Sequence, residues 1–191
     1  MARGTPDWGL VTGGPQAVLE LPSYVLSNTA GFIMPTADSL ISLLNPAASG
    51  RLAKVRRITI TLEADVDNTI PGLQLKLHRI TAHGTGTALT PRPFDTGDAA
   101  AVCTGRQNLT VEPGYGVQLG AWISGVIVNT AVGEKYAGTT TFEFRVFDYS
   151  AGGPVKPLTL LAGEGITLEV DVNVNSAANT CAVIEFTEEL V

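Results

Sequence analysis

The chain has 191 residues, of which 45% are hydrophobic and only 16% are charged, so it is long enough to bury a sizeable core in one domain. Its formal net charge of −6 disfavours binding to the phosphate backbone of nucleic acids. No apolar run reaches the length of a membrane-spanning helix, and the N-terminus lacks the apolar segment of a secretory signal. We therefore expect a protein made in the cytoplasm, with no nucleic-acid and no membrane partner.

The N-terminal residues 1–15 combine Gly, Pro and Thr without periodicity, which predicts an extended arm ahead of one domain at residues 16–191. Trp8 and Leu10 give this arm apolar side chains that could dock on its own domain or on a neighbouring subunit. A freely moving tail is the alternative.

One segment, residues 35–46, has the pattern of a helix. Leu40, Leu43 and Leu44 would share one helical face, a Thr or Asp could cap the start, and an Asn-Pro pair would end it.

The rest of the domain is patterned for strands. Apolar and polar residues alternate in five segments, which are residues 58–66, 73–77, 139–149, 166–174 and 181–187. The last two segments predict a long terminal hairpin, and a nearly continuous apolar run at 122–128 predicts a central strand buried on both faces.

Two further features complete the pattern. The Gly- and Pro-rich residues 81–101 predict a long surface loop, and a break in the alternation at 55–57 predicts a bulge or a register change. Roughly eight strands, one short helix and no alternation of strands with helices predict an all-β fold. We expect a two-sheet antiparallel β-sandwich, jelly-roll-like, with one short helix and the extended arm.

Three motifs resemble catalytic sites but lack the required context. The Phe-Asp-Thr-Gly sequence at 94–97 is that of aspartic proteases, yet Pro precedes it and Asp98 follows it, which favours a simple turn. His78 and His83 are the only imidazoles, and no His-x-His metal pattern or Gly-x-Ser-x-Gly elbow accompanies them. Both are predicted to be surface histidines. We expect no enzyme activity, no metal and no cofactor.

Two other groups of residues leave alternatives open. Asp65 and Asp67 could supply oxygen ligands to calcium, but the EF-hand Gly and distal Glu are missing, so a solvated turn is favoured. Cys103 and Cys181 match no metal-binding spacing and are predicted to be reduced, packed thiols.

Arg51, Lys54, Arg56 and Arg57 form the only basic cluster of the sequence. It is predicted either to be the solvated start of a strand or to contact an acidic partner. Nucleic acid is disfavoured because no aromatic residues are interleaved with the charges.

Parts of the sequence resemble small β-sandwich virion proteins of tailed bacteriophages. These parts are SLLNPAASGRLAKVRRITI, LKLHRITAHGTGTALTPRPFDTGDAAA, and KPLTLLAGEGITLEV with the final EFTEEL. In that group an Asn-Pro-x-x-Ser-Gly turn, a Thr-Pro loop and a Gly-Glu-Gly turn tend to occur in this order, and the match covers about residues 40–190. The resemblance implies a jelly-roll-like structural protein of the capsid decoration or minor capsid type, found in the virion and assembled in the host cytoplasm.

The function expected from this resemblance is that of a capsid decoration or cementing protein. It would bind the major capsid protein or other virion proteins and form a homo-oligomer, with a trimer favoured. The predicted contacts are Trp8 and Leu10 of the arm, the basic cluster, and Pro91 and Phe94 of the 81–101 loop. Alternatives are a single jelly-roll major or minor capsid subunit and a glycan-binding tail module, whereas a cellular carbohydrate-binding module would need more than the 6% aromatic residues present.

Overall fold

The computed structural model of the chain describes residues 21–28, 32–33, 39–64, 69–70, 74–123, 127–128, 142–148, 156–170 and 178–191. These residues form strands, turns and irregular segments, and none of them is helical. The strands are β1 (Ser23–Ser27), β2 (Phe32–Ile33), β3 (Ser39–Leu44), β4 (Arg51–Ala64), β5 (Thr69–Ile70), β6 (Gln74–Ile80), β7 (Thr85–Leu89), β8 (Arg92–Pro93), β9 (Thr104–Val111), β10 (Gln118–Ile123), β11 (Ile127–Val128), β12 (Phe142–Asp148), β13 (Leu158–Leu160), β14 (Gly165–Val170) and β15 (Ala178–Leu190).

Two antiparallel sheets contain nearly all of these strands. A seven-stranded sheet has the order β12-β4-β15-β1-β8, with β13 also paired to β4 and β2 also paired to β15. A six-stranded sheet has the order β10-β6-β14-β3-β9-β7, and β5 pairs with β11 separately. The prediction of an all-β fold with two antiparallel sheets is therefore confirmed.

The hydrophobic core lies between the two sheets. Both sheets contribute side chains to it, so the arrangement is sandwich-like. The core residues include Tyr24, Leu26, Val55, Ile58, Ile60 and Phe186 from the seven-stranded sheet and Leu40, Leu43, Leu75, Leu77, Ile166 and Leu168 from the six-stranded sheet. The sheets approach closely at Gly105 of β9, where a Cβ atom would lie 2.5 Å from the Leu26 side chain of β1. Each large aliphatic side chain buried in this way contributes about 1.5–3 kcal/mol of transfer free energy.

The longest pairing joins β4 and β15, from Ala64 opposite Ala178 to Arg51 opposite Leu190. The register shifts where Glu185 and Phe186 face Arg57 and Val55, so Arg56 is the extra residue of a β-bulge. The bulge predicted from the sequence at this point is thereby confirmed. It also marks the place where the other edge of β4 changes partner, from β12 to β13.

The helix predicted at residues 35–46 is wrong for the part that the structure describes. Residues 39–44 form β3, which lies between β14 and β9 in the six-stranded sheet. Five of its six residues are buried, including Ser39 and Ser42 on the face opposite to Leu43. A strand buried on both faces has no polar–apolar alternation, so its apolar residues can imitate the spacing of a helix.

The predicted terminal hairpin is also wrong. β14 belongs to the six-stranded sheet, where it pairs with β3 and β6, whereas β15 pairs with β4 and β1 in the other sheet. The segment 171–177 between them lies outside the described residues. The two strands thus belong to different sheets and share no hydrogen-bonded pairing.

Two smaller predictions need correction as well. The 81–101 segment is not wholly a loop, because it contains β7 and the short β8. The run at 122–128 is not central, because β10 is the outermost described strand of its sheet and pairs there with β6. The β5–β11 pairs, Ile127 with Ile70 and Val128 with Thr69, continue the β10–β6 register.

Candidate functional site

Two of the three motifs that carry the resemblance to virion proteins, the Asn-Pro-x-x-Ser-Gly turn and the Gly-Glu-Gly turn, are joined in the structure by Asn45. Its backbone N–H donates to Glu164 O at 2.9 Å, and its carbonyl accepts from Gly163 N at 2.8 Å. Its side-chain amide donates to Arg51 O at 2.8 Å and to Leu160 O at 3.1 Å. Fully buried, Asn45 therefore ties the ends of β3, β4, β13 and β14 together.

Glycine is required in both turns of this joint. Gly50 has a φ of 60° and Gly163 a φ of 84°, in the left-handed region that residues with a Cβ rarely adopt. These two motifs of the resemblance therefore consist of residues that connect strand ends to one another.

Three members of the basic cluster are paired with the acidic residues of β15. Lys54 Nζ lies 2.5 Å from Glu189 Oε1, Arg57 lies 3.5 Å from Glu185, and Arg51 lies 3.7 Å from Glu188. The acidic partner of these three charges is thus a strand of the same chain. Contact of the cluster with another protein stays a prediction, since Lys54 and Arg57 remain partly exposed.

Glu188 is the most deeply buried acid of the described residues, with a side chain of 0% exposure. Its carboxylate accepts hydrogen bonds from the backbone N–H groups of Val102 and Cys103, at 2.9 Å and 2.8 Å, while Arg51 supplies the counter-charge. A carboxylate that accepts hydrogen bonds from two backbone N–H groups in the interior replaces the water molecules that these groups would otherwise bind. Through these hydrogen bonds Glu188 holds the segment that follows β8, residues 94–103, against the core.

Phe94, one of the predicted contact residues, is held at the surface by this fastened segment. Its side chain is 60% exposed, although its backbone N–H donates to Ser23 O at 2.9 Å. The turn that follows is closed by Asp95, whose side chain accepts from Gly97 N at 2.9 Å. The protease-like sequence thus forms a turn, as predicted, while the neighbouring Pro91 is buried.

The predicted arm contacts Trp8 and Leu10 and the possible calcium ligands Asp65 and Asp67 lie outside the described residues. Among the described residues there is no cluster of three or more His, Cys, Asp or Glu side chains that could hold a metal ion.

The prediction of two surface histidines is wrong for His78. It is 7% exposed, stacks on Tyr115 with ring centres 4.5 Å apart, and lies 2.7 Å from Glu169 through Nε2. Because a carboxylate only accepts hydrogen bonds, Nε2 carries the proton, and Nδ1 has no partner among the described residues. This burial could not be predicted from local sequence, since Glu169 and Tyr115 lie on another strand and another segment.

His83 is likewise partly buried, in a bridge between two strands. Its ring nitrogens lie 2.7 Å from Ser42 Oγ and 3.0 Å from Thr104 Oγ1. Burial, reinforced by the nearby Arg106, lowers the pKa of His83 to about 4. Ser42 is completely buried, so the Ser–His pair holds strands together and does not present a nucleophile at the surface.

A second polar network surrounds the N-terminal end of β3. Glu112 accepts from both Ser39 N and Ser39 Oγ at 2.7 Å, and it also accepts from the hydroxyl of Tyr115. Burial and this carboxylate raise the pKa of Tyr115. Tyr115 and His83 therefore cover polar side chains on the face of the six-stranded sheet that points away from the core.

Exposed apolar side chains are concentrated beside this network, at the start of β10. Val117 is 71% exposed, and Leu119 and Tyr115 are 40% and 38% exposed. The backbone there is nevertheless fixed on β6, because Arg79 N donates to Val117 O at 2.9 Å and Gly116 N donates to Arg79 O at 2.7 Å. This is an ordered surface with apolar side chains on it.

The cysteines are not bonded to each other. Cys103 is a buried free thiol and Cys181 a half-buried one, and burial raises the pKa of both. In the part of the chain that the structure describes, no helix is long and apolar enough to cross a membrane.

The chain matches no protein-family model, no curated protein and no solved structure.

Proposed function

We propose that this chain is a virion structural protein of a tailed bacteriophage, a capsid decoration or cementing protein that works by binding. It would contact the major capsid protein at the particle surface and add buried interface that resists the internal pressure of the packaged genome. The negative net charge of −6 suits a position away from that genome.

The observation that carries the proposal is the presentation of Phe94. Glu188 and the backbone of Ser23 hold the surrounding segment, so this large aromatic side chain is exposed on a backbone that is already ordered. Exposed aromatic residues that need no ordering on binding are typical anchors of protein–protein interfaces. The two-sheet all-β fold supports the proposal, because the resemblance implies a fold of this class.

The test is sedimentation of the native chain with particles. Phage particles from the source of this chain would be purified on a density gradient and probed with an antiserum raised against the chain. We expect the chain in the particle fraction, with gold-labelled antibody on the outer surface. Its absence from purified particles would refute the proposal, and isolated chain that assembles into closed shells would favour the capsid-subunit alternative.

Binding should then depend on the proposed contacts. Purified Phe94→Ser chain should rebind stripped particles more weakly than the unchanged chain, whereas Leu161→Ser, at a second exposed apolar residue, should rebind equally. Deletion of residues 2–14 should also weaken rebinding if the arm, with Trp8 and Leu10, reaches a neighbour. Unchanged occupancy of the deletion variant would exclude that role of the arm.

A further inference from the structure

Among the described strands, the two ends of the seven-stranded sheet are built differently from the β10 end of the six-stranded sheet. The seven-stranded sheet ends in β8, which is two residues long and consists of Arg92 and Pro93, and in β12, whose sequence includes Glu143, Arg145 and Asp148. Short edge strands, proline and charge are the usual devices that prevent a sheet edge from pairing with another chain. The sequence of β10, at one end of the six-stranded sheet, contains none of them.

The absence of charge extends well beyond β10. From Pro113 to Gly133 the sequence contains no Asp, Glu, Lys or Arg. The β10–β6 register continues from Gly120 to Ile123 and is resumed at Ile127, so the uncharged edge is longer than β10 itself. Among the described residues of this edge, one irregularity is seen, a register shift at Leu119 near its beginning.

We propose that β10 is a self-association edge, at which it pairs antiparallel with β10 of a second copy of this chain. Antiparallel pairing of two identical strands about a two-fold axis is self-complementary, and it would join the six-stranded sheets of both copies into one. Val117 and Leu119 would lose their exposure to water in the pair.

The charge distribution selects a second copy as the partner. Each copy carries a net charge of −6, so two copies repel each other over most of their surfaces. Residues near a two-fold axis meet their own counterparts, and any charged residue there would face a like charge. The uncharged segment from Pro113 to Gly133 is a part of the chain where that repulsion does not arise.

The pairing is tested by native mass, measured by light scattering after gel filtration at two protein concentrations. The unchanged chain should be a dimer at the higher concentration. Ala121→Glu should reduce the native mass by half, because the two new carboxylates would meet near the axis. Inside each copy Ala121 faces Lys76, so the substitution brings opposite charges together there and should not unfold the chain.

The matched control is Thr87→Glu, an exposed position on β7 at the opposite edge of the same sheet. It should remain dimeric. A monomeric or trimeric unchanged chain, or loss of the dimer in both variants, would overturn the proposal. Hydrogen exchange tests the pairing independently in the unchanged chain. The amides of Gly120–Ile123 that do not bond to β6 should exchange faster when the protein is diluted. Exchange rates that do not depend on protein concentration would contradict the pairing.

Self-association through β10 does not depend on the proposed virion function. A dimer that is absent from particles would refute only the proposed function, and a monomer found on particles would refute only the pairing.

Discussion

Polar side chains are exposed to different degrees in two regions of this protein, one on each sheet. On the seven-stranded sheet, Lys54 and Arg57 pair with acids of β15 in half-exposed positions. On the six-stranded sheet, buried polar side chains such as Ser39 and His78 are covered by residues of the same chain, including Tyr115. The part of the six-stranded sheet that Tyr115 covers is not exposed to partners, whereas its β10 edge is the place where we propose contact with a second copy.

The contrast is sharpest between two neighbouring residues of β15. Glu188 continues the buried series of Ala182, Ile184 and Phe186, whereas Glu189 is directed towards Lys54 at the surface. Burial decides how much such a carboxylate contributes to the free energy of unfolding. An exposed ion pair is stabilising by less than about 1 kcal/mol, while a buried charge with several donors is costly to remove.

The largest expected effect is that of Glu188→Ala. It leaves two backbone N–H groups without their acceptor and the Arg51 guanidinium without its counter-charge, so the free energy of unfolding should fall by about 3–5 kcal/mol. Urea denaturation followed by circular dichroism measures the loss. Glu189→Ala is the control on the exposed side, and equal losses in both variants would mean that burial does not distinguish the two carboxylates.

Ser39→Ala should have the next largest effect. The substitution removes a buried hydroxyl that donates to the Glu112 carboxylate at 2.7 Å, and such charge-assisted bonds contribute about 1.5–3 kcal/mol. The same denaturation experiment applies, with Ser27→Ala on the exposed end of β1 as the reference. If both serines behave alike, the network around Glu112 does not stabilise the covered face.

A smaller effect is expected from pH. Because the folded protein lowers the pKa of His83 from 6.5 to about 4, the neutral ring is favoured by folding. Its contribution to stability is complete above pH 6.5 and is lost as the pH falls towards 4, by about 1–2 kcal/mol after allowance for the partial exposure of the ring. The measurement is the difference between the unfolding free energies of the unchanged chain and His83→Gln across this range. A constant difference would show that His83 is not responsible.

The smallest effect belongs to the Lys54–Glu189 pair. In a double-mutant cycle with Lys54→Ala and Glu189→Ala, the coupling free energy should be below about 1 kcal/mol and should decrease with added salt. Thermal or urea unfolding at two ionic strengths measures it. A coupling of several kcal/mol that is insensitive to salt would place this pair with the buried Glu188.

The fold can be predicted from the sequence where the pattern is local. The alternation around Ile58 and Ile60 predicted β4, and its interruption predicted the bulge at Arg56. The pattern failed for β3, because a strand buried on both faces loses the alternation that distinguishes it from a helix. It also failed for the supposed hairpin, because alternation tells which face of a strand is buried but not which sheet the strand joins.

The candidate site was even less accessible to sequence reasoning. Phe94 was predicted as a contact residue and is exposed, but the acids that pair with the basic cluster come from more than one hundred residues away in the chain. The same holds for Ser39 and Glu112, which are 73 positions apart. Such contacts depend on the order of strands, which short motifs do not encode.

The position of β15 has a consequence for the time course of folding during synthesis. This strand separates β1 from β4, so those two strands cannot be joined until residues 178–190 have left the ribosome. At a typical rate of about 5–20 residues per second, the interval between Ala64 and Ala178 is roughly 6–23 s. Throughout that interval the edge of β4 that pairs with β15 stays without its native partner, and unpaired strand edges make a nascent chain prone to aggregation.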